Sequence, residues 1–468
     1  MLITFVKWIA RIVLVTVFFT GSLIVSSVNV FAAKFDLEAG VYSELTWTDN
    51  VDIAIAKRDA DTYLTVNPYL RMSRDSNRIK ANMDYQAQAT IYNQYSGRND
   101  LQHLLRGDLQ VEFIRDHFVT DFYIARESEV INADEAISFD GLFYGANTAD
   151  KYTAQVSPKG VIPLVGDIAI DFFSSHGKVV YDQGIDDLEE HQAKIAIGTG
   201  TRSTGLNWGL NVSKQYVQTE NQNSSQSEQI DLSGSFPVFN RLLVHAMFGQ
   251  KREVLSSYVD REWDKGEIWE GKLIYAFSNK TKLEAGGGKD LYSHRAIASF
   301  MHATQRTSLQ IDHIESQVTK LSNDIKEARE KTDPYKFGRA VDDIFIQKKS
   351  SINWKVLGAK NTINFYLGHE ERFYRNIGVT EILLDSNLRW EYRLSGRSNL
   401  SATINWWRLG DKQEDRLDDM SLYTLKYQRN IGSKSHWYAS AKAGIRDGTH
   451  AALEYKEFKL LLGAEFRY

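Results

Sequence analysis

The residue types that most often do chemistry are present in this chain, but they are not spaced as in catalytic motifs. Its 11 histidines include no HExxH or other paired zinc spacing, and it has no cysteine. There is no GxSxG turn for a serine nucleophile and no P-loop. The glycine-rich run Gly198–Gly205, GTGTRSTG, lies between two predicted strands rather than before a helix, which indicates a turn.

These observations predict a protein that is not an enzyme and has no cofactor, catalytic residue or metal site. Motif spacing does not exclude a Ser-His pair that the fold brings together, because the two residues need to be close in space rather than in sequence. Two acidic clusters, Asp186–Glu190 and Glu414–Asp419, could bind divalent cations that bridge lipopolysaccharide, although solvated loops are the commoner interpretation. Lys and Arg number 56 against 60 Asp and Glu, so no concentrated basic face predicts a nucleic-acid partner.

Alternation of apolar and polar residues is the main structural signal. From Ile79 to Tyr92 the odd positions are almost all apolar, and the even positions through Thr90 are polar or charged. A period of two predicts a strand with two different faces, and this one is long enough to cross a bilayer at a tilt. The same pattern recurs around Leu206–Ser213, Ile382–Leu394 and Trp437–Ile445.

Composition and connections extend this pattern to the whole chain. Aromatic residues make up 12% of the chain, Pro only 5 residues, and the mean hydropathy is −0.38. Tight turns such as Asp75–Asn77 alternate with long polar loops such as Glu127–Thr148. We predict an all-β fold, a transmembrane antiparallel up-and-down β-barrel of about 18–22 strands, with short periplasmic turns and long outside loops.

Charged residues on the polar faces are the candidates for lining the lumen of this barrel. They are Lys80, Asp84, Arg389, Glu391 and Arg393. Charges of both signs inside a barrel either line a conduit for a polar solute or saccharide, or pair with one another across the lumen and plug it. The sequence leaves both interpretations open.

One stretch departs from the strand pattern. Apolar residues from Ile311 to Ala328 are spaced by three and four, and Asp333-Pro334 follows. This heptad spacing predicts a short helix in a long loop over residues 315–332, which either packs on the barrel or binds a partner. The beginning of the stretch, through Ile314, also fits a strand.

Both ends of the chain carry export signals. Lys7 and Arg11 precede an apolar stretch that ends in Val30-Phe31-Ala32-Ala33, so residues 1–33 are expected to be a signal peptide and residues 34–468 the barrel. Cleavage follows Ala32 or Ala33, and an uncleaved anchor helix is the alternative. At the other end, Phe466 and Tyr468 finish an apolar strand face that resembles the signal read by the bacterial barrel-assembly machinery.

Two segments resemble a known family. They run from Tyr42 to Tyr92 and from Val341 to Tyr374, and the residues that carry the likeness are Asp49-Asn50-Val51 and Pro68, then Asp343, Phe345, Lys348, Gly358-Ala359-Lys360-Asn361-Thr362 and Glu371-Arg372. The family is that of the outer-membrane barrels associated with the PEP-CTERM/exosortase system, often encoded beside exopolysaccharide genes. The resemblance implies a part in the assembly or export of surface polysaccharide or of sorted proteins, and it brings no catalytic residues.

The expected function is therefore a non-enzymatic component of surface exopolysaccharide or PEP-CTERM protein export, located in the outer membrane of a Gram-negative bacterium. Expected partners are outer-membrane lipid and lipopolysaccharide, the barrel-assembly machinery, and exopolysaccharide or export-system proteins. The alternatives are a general or solute-selective porin, a hydrolase at the barrel rim, and a soluble periplasmic all-β protein.

Overall fold

A long antiparallel β-sheet accounts for nearly all of the described chain. The computed structural model describes residues 35–51, 58–130, 148–182, 187–199, 205–219, 224–256, 263–319, 344–374, 378–412, 416–449 and 454–468. The predicted signal peptide at 1–33 lies outside them. Among the described residues there is no helix with the length and apolarity needed to span a membrane.

The sheet has 22 strands, and a one-turn 3₁₀ helix at Ser96–Arg98 follows the third. The strands are β1 (Phe35–Thr48), β2 (Asp61–Asp75), β3 (Ile79–Tyr92), β4 (Asp100–Ile114), β5 (Phe118–Val130), β6 (Thr148–Pro163), β7 (Ala169–Tyr181), β8 (Leu188–Gly198), β9 (Asn207–Thr219), β10 (Ser224–Phe239), β11 (Leu242–Ser256), β12 (Asp264–Ser278), β13 (Thr281–Lys289), β14 (His294–Ala303), β15 (Thr307–Thr319), β16 (Ile344–Leu357), β17 (Asn361–Tyr374), β18 (Val379–Arg393), β19 (Ser398–Asp411), β20 (Arg416–Asn430), β21 (Ser435–Gly448) and β22 (Tyr455–Arg467).

Each strand pairs with the next one along the chain, and β22 returns to pair with β1. This last ladder runs from Gly40 opposite Arg467 to Thr48 opposite Lys459. The sheet is therefore closed, and the first and last strands pair with each other instead of leaving two open edges, which hydrocarbon would not tolerate. The predicted up-and-down barrel is confirmed, and its strand number falls at the top of the predicted range.

The two ends of the barrel differ in the length of their connections. Short connections at one end include residues 76–78, 115–117 and 240–241, whereas the other end carries longer ones such as 49–60 and 93–99. Short periplasmic turns and longer outside loops are the rule for outer-membrane barrels. We therefore assign the short-turn end, where β1 begins and β22 finishes, to the periplasmic side.

Successive residues on every strand face opposite sides of the barrel wall. One face carries large apolar side chains that are exposed, such as Leu45 on β1, Ile124 on β5 and Leu462 on β22. The other face carries charged and tyrosine side chains that contact each other across an intervening strand. Such contacts are possible only on the concave side of the wall, so this is the inner face. Met83 and Trp390 lie on the outer face.

The predicted loop helix is wrong for the part of it that the structure describes. β15 continues as a strand through Thr319, so residues 315–319 are extended, and residues 320–332 lie outside the described residues. β16 supplies a partner for every residue of β15 from Thr307 to Thr319. This continuous ladder outweighs the helical spacing of the apolar residues, which is a weak local preference.

A tyrosine and a glycine fit together on each side of the seam where the barrel closes. Tyr69 on β2 lies opposite Gly40 on β1, and its ring occupies the space that a side chain at Gly40 would need. The ring can therefore cross β1, and the Tyr69 hydroxyl donates to Glu465 Oε1 on β22 at 2.7 Å. At the closing seam, β2, β1 and β22 are thus joined by side-chain hydrogen bonds as well as by backbone hydrogen bonds.

The second tyrosine makes the same bridge from the opposite direction. Tyr438 on β21 lies opposite Gly463 on β22, covers it, and donates to the Glu44 carboxylate on β1. The Tyr42 hydroxyl donates to the same carboxylate at 2.7 Å. Glycine is required at position 463 because a Cβ there would overlap the Tyr438 ring. Both glycine–tyrosine pairs hold the closing strand between its neighbours.

Replacing Gly463 by alanine is expected to destabilise the closed barrel by about 1–3 kcal/mol, the usual cost of overpacking. The measurement is the temperature at which the fast-migrating folded form of the detergent-solubilised protein is lost on an unboiled gel. Gly271→Ala on β12 is the matched control, because a Cβ at Gly271 meets nothing within 4 Å. Equal midpoints for the two variants would show that the Tyr438–Gly463 pair does not stabilise the seam.

Candidate functional site

The inner face of the barrel holds all five residues predicted to line the lumen, but they form no single cluster. Lys80 and Asp84 lie on β3, and Asp84 Oδ2 accepts a hydrogen bond from Arg71 Nε at 3.1 Å. Arg389, Glu391 and Arg393 lie on β18, well away around the wall, and Arg389 pairs with Glu391. The partners in both pairs lie on one strand or on adjacent strands, so these charges pair along the wall rather than across the lumen.

The pairing of Arg389 with Glu391 belongs to a general pattern. Opposite charges two residues apart on one strand share a face, and they form ion pairs at several places on the inner wall. The further examples are Lys251–Glu253, Glu270–Lys272, Lys282–Glu284, Glu370–Arg372, Glu457–Lys459 and Glu465–Arg467. Motif spacing does not predict these pairs, although opposite charges two residues apart within a strand pattern are a signal for them.

On β11 to β14 these pairs join into one chain of alternating charge, which we call the charge ladder. It comprises Glu253, Lys251, Asp290, Arg295, Glu270, Lys272, Glu284 and Lys282. Lys272 Nζ shows how the strands are connected, since it lies 3.2 Å from Glu270 Oε1 on its own strand and 3.5 Å from Glu284 Oε1 on the next. The ladder therefore presents the lumen with charges of both signs that neutralise one another.

The extracellular end of the charge ladder is its most buried part. The Lys251 ammonium lies 3.3 Å from Glu253 and 3.4 Å from Asp290, and all three residues are almost inaccessible. Asp290, in the connection after β13, also accepts a hydrogen bond from Arg295. Burial by itself would raise the pKa of Asp290, but the opposite charges of Lys251 and Arg295 outweigh burial and hold that pKa below its ordinary value.

Uncharged hydrogen-bonding groups line the inner wall between β6 and β10. Gln155 Nε2 donates to Ser175 Oγ at 2.9 Å, and Ser157 lies 3.0 Å from the same hydroxyl. Further along, Asn211 and Gln229 both donate to Asp231, at 2.7 and 2.8 Å. Amides and hydroxyls in this arrangement can exchange hydrogen bonds with a polyhydroxylated solute.

The inner wall is not polar throughout, which the alternation pattern did not predict. Near the extracellular ends of β5 to β9, a buried apolar cluster includes Tyr123, Val179 and Val217. Trp407 and Met420 are likewise buried on the inner face of β19 and β20. The polar part of the lumen is thus bordered by apolar side chains toward the outside.

The described members of the two acidic clusters serve mainly as hydrogen-bond and ion-pair partners, and Asp186, Glu414 and Asp415 lie outside the described residues. Asp187 accepts the Tyr181 backbone N–H at 3.0 Å, Asp418 pairs with buried Arg446 at 3.3 Å, and Asp419 pairs with Arg408 at 2.7 Å. Asp418 and Asp419 belong to β20 rather than to a loop. Within the described ranges, no three His, Asp or Glu side chains are grouped to hold a metal ion.

Acidification should weaken the ladder at Asp290. A carboxyl whose pKa is lowered on folding contributes stability above its unfolded pKa of about 4, and this contribution disappears as the pH falls through the lower folded pKa. We therefore expect wild-type protein to be more stable than Asp290→Asn at pH 7, with the gap closing below about pH 4. The measurement is the unfolding midpoint of the folded gel band at each pH.

The control for this titration is Asp116→Asn, at an exposed periplasmic turn where the side chain is 80% accessible. Asparagine tolerates the positive φ of 60° at this position. This control should track wild type at every pH. A gap between wild type and Asp290→Asn that stays constant down to pH 3 would contradict the assignment of the buried ion pairs.

Comparison with known proteins places the fold but not a family. No family model matches this chain, and no curated protein matches it. The barrel is similar to the FrpB iron transporter from Neisseria meningitidis, with a TM-score of 0.53 and 6% identity over 92% of this chain and 83% of that chain.

Two further solved structures are similar to this barrel. The ferric-catecholate import receptor Fiu from E. coli gives a TM-score of 0.52 with 6% identity, over 92% of this chain and 81% of that one. A mutant ferric enterobactin receptor from Pseudomonas aeruginosa, in complex with enterobactin, gives 0.51 with 8% identity and the same coverage. Identities this low show the fold alone. With an exposed apolar outer face, a polar inner face and a closed 22-stranded wall, the chain is a β-barrel of the Gram-negative outer membrane.

Proposed function

We propose that this barrel is a passive conduit that carries a hydrophilic polymer, a surface polysaccharide, across the outer membrane. The observation that carries the proposal is the pairing of opposite charges along the inner wall. Pores that select ions concentrate charges of one sign in a ring. A wall of neutralised pairs favours neither cations nor anions, so it suits a cargo that interacts through hydroxyl groups.

The uncharged part of the wall supports the same cargo. Ser157, Ser175 and Asn211 are held by side-chain hydrogen bonds on β6 to β9, which fixes their direction toward the lumen. Preorganised groups lose little entropy when a sugar hydroxyl replaces a water. The resemblance to the PEP-CTERM/exosortase-associated barrels adds the biological context, because those barrels are often encoded beside exopolysaccharide genes.

The wall chemistry also argues against a strongly selective site for a small charged ligand. Such a site needs an unpaired charge or a converging set of donors within a pocket. Most of the lumenal charges described on β3, β11 to β14 and β18 are instead matched with a neighbour of opposite sign, as Asp84 is with Arg71 and Arg389 is with Glu391. This wall fits passive transport in which the width of the lumen limits the size of the cargo and the wall contacts the cargo only through weak hydrogen bonds.

Ion selectivity tests the proposal directly. In a planar bilayer with a tenfold KCl gradient, we expect wild-type barrels to reverse near zero millivolts. Lys272→Glu should move the reversal potential toward cation preference, since it leaves Glu270, Glu284 and the new carboxylate together on the wall. Lys456→Glu, on the outer face of β22, is the control and should leave selectivity unchanged.

Polymer passage distinguishes the conduit from a porin. Liposomes loaded with the host's neutral surface polysaccharide should release it when they contain the barrel and retain it when they do not. Uptake of small sugars with full retention of the polymer would favour the general porin instead. A strong cation or anion preference of the wild-type protein would contradict the neutral wall on which the proposal depends.

A further inference from the structure

The outer face of β7, β8 and β9 carries an ordered polar patch. Successive rows of residues in register across these strands change from apolar to polar toward the outside. From the periplasmic side the rows are Ile170, Ile197 and Leu210; Phe172, Ile195 and Val212; Ser174, Ala193 and Lys214; His176, His191 and Tyr216; and Lys178, Glu189 and Gln218. A serine and two histidines therefore lie where the apolar part of the wall ends.

Hydrogen bonds join four of these side chains into a chain. Ser174 Oγ lies 3.1 Å from His176 Nε2, and His176 Nδ1 lies 2.7 Å from His191 Nδ1. His191 Nε2 lies 3.0 Å from Glu189 Oε1. Since the carboxylate accepts, His191 donates from Nε2 and accepts at Nδ1, and His176 must donate from Nδ1. His176 Nε2 is then the acceptor for the Ser174 hydroxyl, which is the direction that activates a nucleophile.

This patch reaches deep into the membrane-facing surface. Ser174 and His176 lie five and seven residues from the periplasmic end of β7 at Ala169, whereas the first outward charges of β10 and β12, Glu228 and Glu267, lie 11 residues from Phe239 and Ser278. With a rise of about 2.5 Å per residue on a tilted strand, Ser174 is about 13 Å from the turn, within an apolar band about 25 Å tall. Ionisable residues placed among lipid are costly and usually functional.

On the β6 side of the patch, the outer face is still apolar at the level of His176. Val156 on β6 lies in register with His176, and Phe122 on β5 lies in register with Val156. A lipid docked on β7 to β9 would place its acyl chains over Phe172, Ile195 and Val212. Polar and ionisable groups among lipid thin the bilayer locally, and such thinning would bring the ester groups of this lipid, which mark the boundary between acyl chains and head group, to the level of Ser174.

We propose that Ser174 is the nucleophile of a lipid acyl-ester hydrolase site on the outside of this barrel, with His176 as its general base. This activity is separate from passage through the lumen. Ala193 lies beside Ser174 in the same row and is exposed, so the space above the hydroxyl is open to an ester carbonyl. His191 and Glu189 are positioning residues that fix the tautomer of His176.

The reaction needs no group beyond this patch, a lipid and water. Ser174 Oγ attacks the ester carbonyl carbon while its proton passes to His176 Nε2, and a tetrahedral oxyanion forms. The carbon–oxygen bond to the glycerol breaks, and the leaving oxygen takes the proton from His176, which gives lysolipid and acyl-Ser174. Water then attacks the acyl carbon, His176 accepts its proton and returns it to Ser174 Oγ, and a fatty acid leaves.

Lys214 is the donor assigned to the oxyanion. It shares the row of Ser174 and Ala193 on the next strand, and its Nζ lies 3.1 Å from Glu228. Glu228 also pairs with Arg252, whose Nε lies 2.7 Å away. Glu228 therefore stays neutralised when Lys214 turns toward Ala193, and a cation near the tetrahedral oxygen stabilises the charge that develops there.

The experiment uses full-length barrel in detergent micelles with a fluorophosphonate probe and a phospholipid that carries a fluorogenic acyl ester. We expect the probe to label Ser174, as identified by peptide mass, and Ser174→Ala to abolish labelling and lower hydrolysis by at least about 100-fold. Ser213→Ala is the matched control, because Ser213 adjoins Lys214 on β9 but faces the lumen. It should keep wild-type hydrolysis.

The positioning residues are tested by kinetics rather than by loss of fold. His191→Gln and Glu189→Gln should lower kcat by about 10-fold or more while KM stays unchanged, since they act on the base and not on lipid binding. All variants should show the folded band on unboiled gels. Absence of probe labelling in folded wild-type protein, labelling at another residue, or hydrolysis that persists in Ser174→Ala would overturn the proposal.

Discussion

Backbone hydrogen bonding in hydrocarbon is the constraint on which this whole structure depends. Every N–H and C=O of a membrane-crossing strand must find a partner within the protein, so β1 and β22 have to meet although they lie at opposite ends of the chain. Side chains reinforce that ladder at both ends. Tyr69 and Tyr438 bridge it toward the periplasm, while Asp49 and Asn50 bind the β22 backbone near the outside, at 2.7 and 2.9 Å.

Closure also divides the side chains into two environments with different requirements. On the inner face, charges are tolerated because many of them find a neighbour of opposite sign along the wall, as Lys272 does with Glu270 and Glu284. On the outer face, exposed apolar residues predominate, and the hydrogen-bonded chain of polar side chains on β7 and β8 departs from that pattern. The proposed conduit and the proposed hydrolase site use opposite faces of the same wall, so each can be tested without disturbing the other.

Much of this fold could be predicted because period-two alternation is a local property of each strand. The alternation predicts Ile79–Tyr92 as a strand, which is β3 with the same bounds, and the predicted terminal strand with Phe466 on its apolar face is β22, which closes the barrel. The heptad spacing after Ile311 wrongly predicts a helix because the ladder with β16 decides the conformation of residues 315–319. Neither the length of a loop nor the periodicity of its residues shows that a neighbouring strand such as β16 will pair with it.

The candidate sites were harder to predict because they depend on register between strands. Asp84 and Arg389 could be placed on a polar face, but the pairing of Asp84 with Arg71 follows from the alignment of β2 with β3. The chain from Ser174 to Glu189 likewise joins residues of two strands, and no motif search relates them. A register shift of one residue would have moved every one of these side chains to the other face.

The assignment of the two faces is the central claim, and single cysteines test it most directly, since the natural chain has none. Met83→Cys and Asp84→Cys differ by one position on β3, one toward lipid and the other toward the lumen. In intact outer-membrane vesicles, a charged, membrane-impermeant maleimide should label Asp84→Cys readily and Met83→Cys very slowly, and detergent with denaturant should make both react. Fast labelling of Met83→Cys with protection of Asp84→Cys would reverse the faces and contradict this account.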